Sequence, residues 1–396
     1  MQQLTGAIRS YPWGSRSLIS GLRGLPVPSA SPEAELWFGA HPTSPALIDG
    51  RPLTEIIAED PGAALGPRVR ERFGEGLPFL VKLLAAAEPL SLQAHPSQAQ
   101  AEEGFQREND EAIPLGAGNR NYRDPHHKPE VIVALTDFSA MAGFRPLHRT
   151  REIFEALSCS GLDRYLAFVQ HDPTAGPGQE EDNLRALFTT WITIPAAIRI
   201  RLIEDIVESA RPLLDGDDWI AGVLRTVTEL QDRYPGDVGV LGALLLNHLQ
   251  LAPGEAIYLD AGQLHAYISG LGVEVMANSD NVLRGGLTSK YVDVPELVKV
   301  LDFRALAEPV VASTGGRYPV PVDEFDLTRH ELTDGVPQAG DRALVLDHDG
   351  PSIALCTAGE LVLGELTLTP GNAVWIPASD PAIPVSGTGQ LFVACA

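Results

Sequence analysis

One short segment opens the chemistry of this chain. Gln93 and His95 stand at i and i+2 in the stretch Ser91–His95. In an extended chain that spacing sends both side chains to one face. Glu130 ends the polar run DPHHKPE and opens the apolar run VIVAL. A carboxylate opening a buried strand is costly unless it is paired or bound. His265 lies just beyond the turn-rich stretch PGEAIYLDAGQL. One amide, one carboxylate and two imidazoles are borderline N and O donors. They suit Zn²⁺ or a similar first-row divalent ion and leave a position for water or substrate. A single carboxylate against a 2+ ion keeps the site positive, which favours Lewis-acid work on sugar or carbonyl oxygens and attracts an anion. Alone, His95 before Pro96 reads equally well as an ordinary half-buried strand residue. His126 and His127 are the competing ligands. Pro125 and Pro129 oppose the helix that would turn them toward Glu130, so each is expected at most to hydrogen-bond a ligand.

The elements that must position these residues change character along the chain. Residues 1 to about 150 hold apolar runs with turn signals, and Phe79–Leu84, Ser91–His95 and Glu130–Leu135 read as strands. Leu53–Ala58 and Gln98–Gln106 read as short helices. Between about 150 and 250 the apolar spacing shifts to three and four, as in Leu184, Leu187, Phe188 and Trp191 or Val223, Leu224, Val227 and Leu230. That is the period of amphipathic helices, with His171–Asn183 expected as a loop between two of them. After Leu251 strands return. LAPGEAIYLDAGQLHAYISG and LTPGNAVWIPASDPAIPVSG share a layout: aligning Pro253-Gly254 with Pro370-Gly371 sets Ile257–Leu259 on Val374–Ile376 and His265 on Ala382. This suggests a duplicated β unit in which one copy keeps an imidazole and the other has none.

The chain has 396 residues and a formal charge of −23. Such a length usually means two or three domains. Nucleic acid and anionic membranes need clustered positive charge and are excluded as partners. No apolar run reaches the ~18 residues of a membrane span, and the N-terminus lacks a signal-peptide core. Three scattered cysteines form no metal or disulfide pattern, so a reducing cytoplasm is expected. Only four of the 29 basic residues are lysines: Lys82, Lys128, Lys290 and Lys299.

Several motifs together resemble the type I mannose-6-phosphate isomerases: YPWGS, ELWFGAHP, PFLVKLLAAAEPLSLQAHPS, NYRDPHHKPE, FSAMAGFRP, HAYISG, EVMANSDN and SDNVLRGGLTSK. They run in order over residues 7 to 303, with the helical region weakly matched. The spacing from Gly254 through Asp260 and Gly262 to His265 also resembles the second cupin motif, with Asp where Pro is usual. The resemblance implies a mainly β fold of two cupin-type jelly-roll barrels, the second degenerate and without metal, plus a helical domain. Residues 1–150 with 251–312 would form the metal-binding domain, 151–250 the helical domain, and 313–396 the C-terminal cupin-like domain.

It also implies reversible, zinc-dependent interconversion of mannose 6-phosphate and fructose 6-phosphate through a cis-enediol. One Zn²⁺ per chain, or another divalent metal, would be held by Gln93, His95, Glu130 and His265. The catalytic arginine falls on Arg284, read here as part of a Gly-rich turn. Active-site lysines fall on Lys82 and Lys128, and an acidic residue on Glu274. Lys290 and Tyr267 join Lys82 in binding substrate, and Trp13 is expected as a wall of the site. The base stays open between Lys128, His127 and Glu274. Bland roles compete: Arg284 in a surface salt bridge, Glu274 as partner of Arg284 or Lys290, Lys82 snorkelling from a strand edge. Two departures from the family pattern, Arg123 and the Asp-Ala-Gly-Gln-Leu before His265, are expected to touch no ligand. Competing functions are isomerisation of an unphosphorylated sugar such as mannose, and a non-catalytic double-cupin sugar-binding protein. The partner is a small sugar phosphate, and the protein is expected to be a monomer or weak homo-oligomer.

Overall fold

The structure, a computed structural model, describes residues 1–170, 178–338 and 343–396. The chain is mostly β, with two large antiparallel sheets and a layer of helices. The larger sheet has eleven strands. Its hub is His265–Ala277, which pairs at its start with Leu92–Ala94 and Phe138–Phe144. Further along it lies between Phe79–Ala86 and Glu130–Ala134. The change of partners comes at Gly270, whose φ is +120°. A Cβ there would sit 2.7 Å from the Asp137 carbonyl oxygen, so only glycine allows the bend. One strand that serves two groups of neighbours gathers residues distant in sequence around one point.

Phe79–Ala86 is buried along its whole length, as expected of a strand covered on both sides. Lys82 is its one charge. The strand lies between Glu35–Gly39 and His265–Ala277, so Lys82 is not on a sheet edge and does not snorkel.

The second sheet has nine strands and includes Asp326–Thr333, Ser352–Leu363, Ala373–Ile376 and Ile383–Cys395. Gln2–Leu4 pairs with Ala373–Ile376. The first residues of the chain therefore add a strand to this sheet. One apolar core joins the sheets, with Phe38, Val81 and Val131 in the same cluster as Tyr318, Trp375 and Phe392. The two Pro-Gly turns have matching backbones, with Gly254 at φ +93° and Gly371 at φ +83°. Each leads into a four-residue strand, Ala256–Leu259 and Ala373–Ile376.

The helical region spans the helices Leu147–Leu157, Gln179–Ile192, Ala196–Ala210, Trp219–Arg233 and Val238–Ala243. The apolar stripes read from sequence are their buried faces, and this core continues into Phe144, Leu264 and Phe303. Of the expected loop His171–Asn183, residues 171–177 lie outside the described residues. Gln179–Asn183 are helical instead. Glu180, Glu181 and Asp182 fill the first turn, where acidic side chains complement the helix dipole. Among the described residues no single helix is long and apolar enough to cross a membrane.

Between Gln98–Asp110 and Glu130–Ala134 the chain is irregular but tied. The Glu108 carboxylate accepts the backbone N–H groups of Asn121 and Tyr122 at 3.1 and 2.9 Å and pairs with Arg120 at 3.0 Å. The Tyr122 ring lies against the helix at Gly104, where a Cβ would be 2.4 Å from the ring. Gly104→Ala should therefore destabilise by about 1–3 kcal/mol through overpacking, although alanine is the better helix former by roughly 1 kcal/mol. Thermal unfolding of the variant checks this, and an unchanged or higher midpoint contradicts it.

Candidate metal centre and active site

His95, Glu130 and His265 converge with ligand atoms within 4.8 Å of one another. Each arrives from a different element. His95 follows Leu92–Ala94, Glu130 opens Glu130–Ala134, and His265 opens the hub strand. Both imidazoles are aimed by backbone carbonyls: His95 Nδ1 donates to Asn281 at 2.7 Å, and His265 Nδ1 donates to Gln263 at 2.9 Å. These bonds fix the tautomers, so each Nε2 presents a lone pair 3.5 Å from a Glu130 oxygen. Gln263 thus orients His265 through its carbonyl, so the segment before His265 does touch a candidate ligand.

His95 Nε2, His265 Nε2 and Glu130 Oε2 are buried without a hydrogen-bond partner. Three orphaned acceptors in one place are a fault in a closed core, and a divalent cation is the group that satisfies them together. Burial, with help from Lys128, lowers the His95 pKa to about 4, so this imidazole is neutral, as a ligand must be. Burial pushes the Glu130 carboxyl up. Lys128, whose Nζ is 2.9 Å from Oε1, is the foremost group opposing that, and the carboxyl is held well below the usual carboxylate range. Lys128 takes Oε1, the oxygen that also faces His95, and leaves Oε2 facing His265. Gln93, opposite His265 in the strand register, lines the same cavity as Glu130.

That cavity is about 430 Å³ and also takes in Trp13, Lys82, Tyr267, Glu274, Arg284 and Lys290. It has two electrostatic zones. In the first, Lys82 and Glu274 face each other across paired strands and form a 2.8 Å ion pair, with Lys82 Nζ 5.4 Å from the Trp37 ring centre. Glu274 is therefore the partner of Lys82, and of neither Arg284 nor Lys290. Burial raises its pKa, Lys82 opposes the rise, and Glu130 and Glu35 add to it. Lys82 is held above its ordinary value because Glu274, Glu35 and Glu130 together outweigh its burial. The Tyr267 hydroxyl beside them is buried and unpartnered, and burial with the nearby carboxylates holds its pKa well up.

The second zone is cationic. Arg284 and Lys290 line it together with Arg123, which sequence had set aside as a mere departure. Arg284 stands on the short strand Leu283–Gly286, paired with Gln93, rather than in a turn. Burial and Arg123 lower the Arg284 pKa; burial, Arg284 and Arg123 lower that of Lys290. Among the described residues none of the three has a carboxylate within ion-pair distance.

His127 is the sequence candidate that the structure sets apart. Its Nε2 lies 2.6 Å from Glu324, and it lines a different cleft. In the extended stretch before Pro129, successive side chains point to opposite sides. His127 faces out where Lys128 faces in, so it cannot serve as base. His126 lines the same outer cleft. Sequence also missed Glu35, Trp37 and Asp280 on the cavity wall. Glu35 and Trp37 lie in ELWFGAHP and Asp280 in SDNVLRGG, so the motif was visible while its inward face was not.

An orphaned donor set beneath a cavity with an unpaired cationic zone, on a mostly β chain, is the arrangement of a metal-dependent enzyme for a small anion. A family model described as phosphomannose isomerase type I, catalytic domain, matches residues 1–147. The chain is 37% identical to the mannose-6-phosphate isomerase of Escherichia coli, covering 99% of this chain and 98% of that one. It is 30% identical to the Schizosaccharomyces pombe enzyme over 99% and 98%. A crystal structure of a mannose 6-phosphate isomerase bound with zinc and yttrium superposes with a TM-score of 0.87 at 36% identity, over 100% and 99% of the two chains. The chain belongs to the mannose-6-phosphate isomerase family.

Removing one imidazole should break the donor set. His265→Ala is expected to lose stoichiometric metal, measured by elemental analysis of the purified protein. Retention of one metal per chain in that variant would remove His265 from the ligand set.

Proposed function

We propose that the chain interconverts mannose 6-phosphate and fructose 6-phosphate with one zinc ion, or a similar divalent cation, held by Gln93, His95, Glu130 and His265. The observation that carries the substrate is the trio Arg123, Arg284 and Lys290, cations without carboxylate partners in the cavity that Glu130 also lines. Such a cluster is unstable by self-repulsion until an anion enters, and Arg forks match phosphate oxygens. Bound zinc would supply Lewis-acid polarisation of the sugar oxygens.

The protein's own groups do the rest. Glu274 is the proton carrier: its carboxylate takes the proton from C2 of the open-chain aldose and returns it to C1. Its raised pKa and burial support this role, because a base works best with a pKa near the operating pH. Lys82 keeps Glu274 ionised. Arg284 and Lys128 face the negative charge that develops on the enediol oxygens, and Lys128 passes the second proton from O2 to O1. Lys290, at the exposed end of the motif, meets the phosphate. Trp13 and Tyr267 close the walls and exclude water.

We also propose the division into a metal-bearing cupin barrel (1–150 with 251–312), a helical domain (151–250) and a degenerate cupin-like barrel (313–396). The matched turns support it, and so does the strand register. Glu130 opens its strand opposite Leu259. Ser352 opens its own opposite Ile376, the residue aligned with Leu259. The three cysteines are free, which suits the proposed cytoplasmic location.

Side-by-side assays of mannose 6-phosphate and free mannose test the substrate. The phosphorylated sugar should turn over far faster, and Lys290→Met should raise its KM with little change for mannose. Faster turnover of the free sugar rejects the phosphate reading. A pH profile tests the base. Glu274 works only when ionised, so kcat falls as pH drops through its pKa. Lys82→Met removes the cation that lowers that pKa, so the acid limb should move to higher pH. A limb that stays in place takes Glu274 out of the role.

A further inference from the structure

We propose that Glu324, in the segment leading into the second sheet, is a positioning residue for the metal-site loop. It rests on the metal centre proposed above. The loop from Arg123 to Glu130 is pinned on its inner side by Asn281. That fully buried side chain accepts the Arg123 N–H at 2.7 Å and donates to the Asp124 and His126 carbonyls, each at 2.8 Å. Past His126 these ties end. The next residues carry the chemistry: Lys128 on Glu130 Oε1, then Glu130 itself.

The outer side of this stretch is held at His127. Its backbone N–H donates to Gln98 Oε1 at 3.0 Å, and its Nε2 meets Glu324 Oε1 at 2.6 Å. Glu324 lies two residues before the strand Asp326–Thr333, and its other oxygen accepts the Asp323 N–H at 3.2 Å. Among the described residues the His127–Glu324 contact is the one hydrogen bond from this loop to the chain beyond residue 300. The stretch between His127 and Glu130 is stiff, because Pro129 fixes its own φ and confines Lys128 to extended conformations. His127 and Lys128 point to opposite sides of it. The Pro129 carbonyl and Glu130 are held in the sheet, so a shift at His127 falls first on the Lys128 ammonium and on its contact with Glu130. The segment leading into the second sheet so reaches the metal-site loop through one carboxylate, besides the apolar core that the sheets share.

The test compares full-length Glu324→Gln and His127→Asn with Arg72→Ala. Arg72 pairs with Asp323 in the same segment and lines only the outer cleft. Two quantities are read: zinc affinity by chelator competition, and amide hydrogen exchange over residues 123–134. Thermal unfolding identifies any variant that has lost its fold, and the half-exposed His127 gives the milder change. Glu324→Gln and His127→Asn should each weaken zinc binding roughly tenfold and speed exchange over the loop. The double variant should lose no more than either single one, and Arg72→Ala should do neither. Wild-type affinity and exchange in both single variants overturn the proposal, as does an equal loss in Arg72→Ala. A wild-type chain that takes up no zinc overturns the metal reading instead, and loop exchange alone then decides whether Glu324 positions the loop.

Discussion

The Glu130 carboxylate is the group around which this structure is arranged. It is 2% exposed and stands between two paired strands, opposite Leu259 on one side and Met276 on the other. Leaving a carboxylate ionised in such a place costs several kcal/mol unless cations and donors compensate it. Lys128 supplies one compensation, and a cation held with the two imidazoles would supply another. Each neighbour is itself fixed by something else. Asn281 and Gln263 lend their carbonyls to the histidines, and Pro129 holds Lys128 extended. The bend at Gly270 returns the hub strand so that His265 and Met276 both lie near Glu130. The fold is in this sense the set of constraints that keeps one buried negative charge in company.

The same reasoning explains how a chain of net charge −23 can host a site for an anion. Global charge acts over the surface, where salt screens it within about 10 Å. A cavity wall acts locally. Lys82 is neutralised by Glu274, and Lys128 by Glu130, so neither contributes much free positive charge. Arg123, Arg284 and Lys290 are left unbalanced together. Three of the four lysines thus serve the cavity in two different ways, two as compensation for buried carboxylates and one as part of the open cationic zone. The fourth, Lys299, pairs on the surface with Glu103.

What could be read from sequence follows this division between side-chain and backbone interactions. The strands around the site were legible because apolar runs interrupted by a single charge are rare: Lys82 in FLVKLL and Glu130 before VIVAL announce both the strand and the need for a partner. The helices were legible from their period. The partners themselves were not. Cross-strand register decides that Glu274 meets Lys82 rather than Arg284, and register depends on long-range pairing. Histidine orientation by the Asn281 and Gln263 carbonyls leaves no mark on residue type, since every residue has a carbonyl. His127 looked equivalent to Lys128 because only the alternation of an extended chain separates them. The start of the helix at Gln179 was hidden by the Pro and Gly residues before it, which signal a turn without saying where it ends.

The two Pro-Gly units share a local layout but differ in what they bury. In both copies a Pro-Gly turn with left-handed glycine starts a four-residue strand, and a strand-opening residue faces the last residue of that strand. Glu130 occupies that place in one copy and Ser352 in the other. A buried hydroxyl left unpaired costs about 1–3 kcal/mol, far less than an unpaired carboxylate, so Ser352 needs no imidazole beside it where Glu130 does. The second sheet is tied to the first by packing. That packing is substantial, since Tyr318, Trp375 and Phe392 complete the core beneath Phe38, Val81 and Val131. The N-terminal strand Gln2–Leu4 also lies in the second sheet. The second sheet is thus a support for the first, and the hydrogen bond that His127 donates to Glu324 ties the loop before Glu130 to the segment leading into it.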